Sequence, residues 1–98
     1  MDLKNFLDKN ATLIIQKMDV EFDSHEFIQQ LLKDYEKDYV IFLNMYINSD
    51  GIFRTFHANI GTYLVKNHAR FDIFPGNKKV MSDNIKDYKS LNQKWIKK

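Results

Sequence analysis

"KKVMSDNIKDYKSLNQKWIK", residues 78–97, admits two incompatible readings, and the choice between them decides the fold. Ile85, Tyr88, Leu91 and Trp95 recur at spacings of three, three and four, which suits one more amphipathic helix capped by Ser82. The stretch is also polar and rich in Asn and Ser, and "KKVM" and "KWIK" at its ends read as two short strands around a long loop. The strand reading predicts an α+β, mainly helical domain, with a compact three-helix core followed by a basic, hairpin-like C-terminal segment. That is the order of elements in winged-helix modules. The helix reading predicts a four-helix all-α bundle instead. We take the strand reading as the expectation; the winged-helix likeness is one of element order and carries no function by itself.

Working back from this segment, "HARFDIF", residues 68–74, alternates as a strand or extended linker would, and Pro75-Gly76-Asn77 closes it as a turn. Before it lies "FRTFHANIGTYLVKN", residues 53–67, where Phe53, Phe56, Ile60 and Leu64 mark the apolar face of a helix of about four turns. Gly61 in its middle costs about 1 kcal/mol relative to Ala. It implies either close approach of a neighbouring helix or a break into two shorter helices.

"NSDG", residues 48–51, is a turn that ends a long preceding helix. That helix starts at a well-marked boundary: Asp23 is the N-cap, Glu26 completes a capping box, and Phe22 faces Phe27 as a hydrophobic staple. Its apolar stripe runs from Phe27 through Leu31, Tyr35, Tyr39 and Phe42 to Tyr46. From Tyr39 onward Val40, Ile41, Met45 and Ile47 make the other face apolar too, so this end is expected to be enclosed or to form a dimer interface. A first amphipathic helix is expected over residues 3–18, with Phe6, Leu7, Asn10, Leu13, Ile14 and Lys17 at helical spacing.

At 98 residues the chain fits one domain, and its 44% apolar content is enough for a folded core. The absence of Cys removes disulfides, thiolate nucleophiles and Cys-based zinc sites. No stretch approaches the ~20 apolar residues of a membrane-spanning helix, and the N-terminus has no signal-peptide pattern, so we expect a cytoplasmic protein with no membrane partner.

The modest net charge of +2 conceals two poles. Residues 1–50 carry five Lys against ten Asp or Glu, a net of −5, whereas residues 51–98 carry ten Lys or Arg against three Asp, a net of +7. A basic pole is what anionic partners respond to.

Catalytic signatures are missing. His25-Glu26 opens like a zinc-protease HExxH, but Gln29 stands where the second ligand belongs. His57 and His68 have no acidic companions, the carboxylates Asp34, Glu36 and Asp38 point in successive helical directions, and three glycines make no phosphate loop. The expectation is a non-enzymatic protein without cofactor or metal.

Two functions follow. One is a small DNA-binding module in which Arg54, Thr55, Asn59, Thr62 and Lys66 present a polar helix face while Lys78, Lys79, Lys86, Lys89 and Lys94 reach phosphates. The other is a protein-interaction or homodimerisation domain using Tyr39, Val40, Met45, Tyr46, Ile47 and Trp95.

Overall fold

The computed structural model describes residues 2–98. The chain folds into α1 (Leu3–Gln16), β1 (Glu21–Asp23), α2 (Ser24–Asp34), α3 (Glu36–Asn44), α4 (Ile52–Asn67), a 3-10 turn (His68–Phe71), β2 (Ile73–Pro75), β3 (Val80–Asp83), β4 (Lys89–Asn92) and β5 (Lys94–Lys97). This is the α+β, mainly helical class, and the all-α bundle fits it less well despite the four helices. Strands β1 and β2 both pair antiparallel with β5 in a three-stranded sheet of order β1-β5-β2, and β3 and β4 form a separate hairpin.

The decisive stretch is extended, for a reason visible in the burial. Tyr88 and Leu91 are 70% and 59% exposed, so the helical stripe through them has no core to face. Trp95 alone is fully enclosed, paired across β5 with Phe22 and donating its indole N–H to Ser24 Oγ at 3.0 Å. The strand pairing, however, differs from the expected one. "KWIK" does not close a hairpin with "KKVM"; it is the central strand of the sheet, and the hairpin partner of Val80–Asp83 is Lys89–Asn92. The long loop shrinks to a tight turn. Asn84 Oδ1 accepts from the Lys86 and Tyr88 amides, the Asp87 amide reaches Asn84 O, and Asp87 takes the left-handed conformation (φ 64°) usual for the last residue of such a turn.

The capping box is formed: Asp23 accepts from the Glu26 amide, and Glu26 accepts from the Asp23 amide. The long helix it begins is not continuous. Tyr35 leaves helical geometry (φ −133°, ψ 48°) and separates α2 from α3. No Gly or Pro marks the point, but Lys33 in the last turn of α2 and Glu36 and Asp38 in the first turn of α3 are the charges that two helix dipoles favour there. The change of direction lets Tyr35 and Phe42 grip the Phe6 ring from two sides, at centroid distances of 5.3 and 5.2 Å.

The second half of that helix is not enclosed either. Tyr39 and Phe42 are buried, whereas Val40, Ile41, Met45 and Ile47 are about half exposed or more. In α1 the buried residues are Phe6, Leu7, Ala11, Ile14 and Ile15, and Leu13 lies outside. Residues 68–71, expected to be extended, instead tighten the end of α4 into a 3-10 turn, which Asp72 ends in a left-handed conformation (φ 55°).

Asp8 fastens α1 to α4. Its carboxylate accepts from Lys4 at 2.8 Å, from the Tyr63 hydroxyl at 2.6 Å and from Arg70 at 2.7 Å. These partners lower its pKa to about 2, and burial, reinforced by the hydrogen bond to Asp8, pushes the Tyr63 hydroxyl well above its usual value.

Candidate functional site

Helix α4 buries Phe56, Ile60, Tyr63 and Leu64, which leaves two exposed edges. One edge turns toward α3: Asn59 donates to the Tyr46 hydroxyl at 2.9 Å, and the Tyr46 ring stacks on Phe56. The other edge, with Arg54, Ala58, Gly61, Thr62, Val65 and Lys66, faces the β3–β4 hairpin across a groove of about 740 Å³.

The hairpin is fixed against α2 by that helix's own unmet donors. Of its first three amides, Ser24 N–H goes to Gln93 O at 3.0 Å, His25 N–H to Asn92 Oδ1 at 3.0 Å, and Glu26 N–H to the Asp23 cap. The His25 ring then reaches the cross-strand pair Ser82 and Ser90, with Nδ1 at 2.9 Å and Nε2 at 3.2 Å from their hydroxyls. Asn92 donates to Val80 O and Ser82 Oγ, completing the fastening.

Ser90, His25 and Ser82 thus have the connectivity of a nucleophile, a base and an orienting group. The orienter is a neutral hydroxyl, which offers no charge to stabilise an imidazolium, and both serines are occupied in holding the hairpin. At the far end the Lys86 ammonium lies 5.2 Å above the Phe53 ring and joins the hairpin tip to the start of α4.

Charge in the groove is of one sign. Arg54 and Lys66 stand on the helix side and Lys79 and Lys86 on the hairpin side, and among the described residues no Asp or Glu lines it and none of these four cations is in an ion pair. Ile28, Phe53, Val65, Ile85 and Leu91 supply an apolar floor. His57 adds no charge near neutral pH. Burial, and secondarily repulsion from His25, lowers its pKa to about 4, and its Nε2 lies 2.6 Å from the Tyr39 hydroxyl, itself raised by burial to about 12.

The residues expected from the sequence are therefore divided. Arg54, Thr62, Lys66, Lys79 and Lys86 come together around one concavity. Asn59 is engaged with Tyr46 and Thr55 lies outside the groove. Lys78 is exposed away from it, Lys89 pairs with Asp83 at 3.5 Å, and Lys94 pairs with Glu21 at 2.9 Å. Of the expected interface residues, Val40, Met45 and Ile47 are exposed, Tyr46 is half-buried, and Tyr39 and Trp95 lie in the core, where a partner cannot reach them.

The groove walls contributed by Ser24, His25, Ser90 and Asn92 were not foreseen. The only local signal was a histidine and serine beside a capping aspartate, and their partners lie more than fifty positions away. Gly61 has neither expected role: α4 runs through it unbroken, and a Cβ there would meet nothing within 4 Å.

Among the described residues no three His, Asp or Glu side chains converge as metal ligands do, and no helix is long and apolar enough to cross a membrane. Compared with known proteins, the chain matches no family model, no curated protein and no solved structure.

Proposed function

We propose that this protein is a small, non-enzymatic DNA-binding module of winged-helix type, with α4 presented to the duplex and the β3–β4 hairpin as its wing. The observation that carries the reading is the carboxylate-free concave face on which Arg54, Thr62 and Lys66 of α4 stand opposite Lys79 and Lys86 of the hairpin. The element order, a helical core leading into a β wing, supports it as an analogy of fold.

A duplex is too wide to enter a groove of this size, so it would rest on the two rims, with the cations against phosphates. Arg54 and Thr62, the polar groups free on that edge, are the ones placed to read base edges, whereas Asn59 is held by Tyr46. Neutralising about four phosphates implies that affinity falls roughly 10²-fold between ~50 and ~200 mM salt.

The test separates local charge from net charge. Arg54→Glu combined with Lys66→Glu is expected to weaken duplex binding, read by fluorescence anisotropy, by at least about tenfold. Lys33→Glu combined with Lys37→Glu, an equal change of charge on α2 and α3, is expected to leave most of it. Equal losses in the two variants would contradict the reading.

A second reading is favoured by one observation, the exposed apolar set Val40, Ile41, Met45 and Ile47 at the end of α3. It makes the protein a dimerisation or protein-interaction domain. Under it, Met45→Asp converts a dimer to a monomer in sedimentation and leaves duplex affinity alone.

A further inference from the structure

Gly61 is a glycine that the protein's own packing does not require. It sits inside α4 with an ordinary helical backbone, no neighbour approaches it, and a residue with a side chain would strengthen the helix by about 0.5–1 kcal/mol. What its missing side chain leaves open is the groove. That groove, about 740 Å³, lies within the range of small-molecule sites and combines an apolar floor with a few charged groups at the rim, the composition such sites have. Its walls are already in place, since His25 holds both hairpin strands and Lys86 joins the hairpin tip to Phe53.

We propose that the groove is a binding site for a small amphipathic organic anion, whose flat or aliphatic body lies over Gly61 and Val65 and whose single anionic group is held by Lys66 and Lys79 at the rim. Charge complementarity selects the class: four cations and no carboxylate surround the space, so a neutral or cationic body of the same shape gains nothing at the rim. The site does not depend on the protein binding DNA. If it does, the occupant and a phosphate backbone compete for the same cations, which makes the anion an effector.

The probe is 8-anilinonaphthalene-1-sulfonate, with N-phenyl-1-naphthylamine as the same ring system lacking the sulfonate. The sulfonate is expected to bind at one site per chain, and the amine at least about tenfold more weakly. Gly61→Leu, which fills the groove from a position with room for it, is expected to cut sulfonate affinity by at least about tenfold while the protein melts no lower than before. Met45→Asp is expected to leave binding unchanged.

Amide shifts induced by the sulfonate in the unsubstituted protein give a second readout, expected to cluster on α4 and the hairpin. Binding that survives Gly61→Leu, is lost in Met45→Asp, ignores the sulfonate, or shifts amides on α3 would overturn the proposal. Duplex anisotropy, measured without the probe, reports separately on the DNA reading, so either can fail alone.

Discussion

His57 and Asp8 place the acid limits of this fold, and they do so in different pH ranges. The His57 ring is packed among Tyr39, Phe53 and Phe56, and its pKa of about 4 lies below the 6.5 of a free histidine. As pH falls from 6.5 toward 4 the unfolded chain takes up a proton that the folded one refuses, and stability declines, by about 2 kcal/mol after discounting for partial exposure. Below 4 the folded ring protonates too and the decline stops. Asp8 acts later, because its pKa is lowered from 3.8 to about 2; its ion-paired stabilisation is complete above 3.8 and disappears as pH drops to about 2. Melting temperature followed from pH 7 to 4.5 should therefore fall in the unsubstituted protein and stay nearly flat in His57→Gln, which can still accept from Tyr39. An identical slope in both would show that the ring does not carry the effect.

Single residues differed in how much they disclosed in the sequence. Asp23 and Glu26 identify each other across three positions, so the start of α2 could be read directly. His25, between them, could not be, because Ser82 and Ser90 become its partners only when the hairpin folds back.

Helices and strands followed the same division between local and distant causes. The capped start of α2 is a local event, and Asp23→Ala is expected to cost about 1 kcal/mol, read as a lower denaturant midpoint at unchanged slope. A loss above about 3 kcal/mol would mean that the β1–β5 junction, not the cap, depends on this nearly buried carboxylate. The break at Tyr35 was hidden because the apolar stripe continues across it at helical spacing; only the charges of Lys33, Glu36 and Asp38 hint at two helix ends, and the cause is the shared grip on Phe6. The hairpin was foreseen as extended chain but given the wrong partner. Its turn uses Asp87 where a glycine would have announced the left-handed position, and β5 carries a tryptophan that belongs to a sheet whose other strands lie about twenty and seventy residues earlier. Strand β1, three residues long, has too little pattern to be seen alone.

Across the whole molecule the division of charge read from the sequence, −5 in the first half and +7 in the second, becomes a surface with a specific shape. Ion pairs with Asp8, Asp83 and Glu21 withdraw Arg70, Lys89 and Lys94 from the basic pole, and of the other seven cations four, Arg54, Lys66, Lys79 and Lys86, gather at the groove between α4 and the hairpin. The fold class could be reached from composition, periodicity and turn chemistry, whereas the concavity could not, since it is created by hydrogen bonds between α2 and the hairpin that join residues more than fifty positions apart. We propose this concavity as a nucleic-acid surface. It is tested most directly by fluorescence anisotropy of a labelled random-sequence duplex titrated with the protein at ~50 and ~200 mM salt. Micromolar or tighter binding is expected at the lower salt, weakening roughly 10²-fold at the higher, as about four phosphate contacts require. No binding at the lower salt, or binding indifferent to salt, would contradict it.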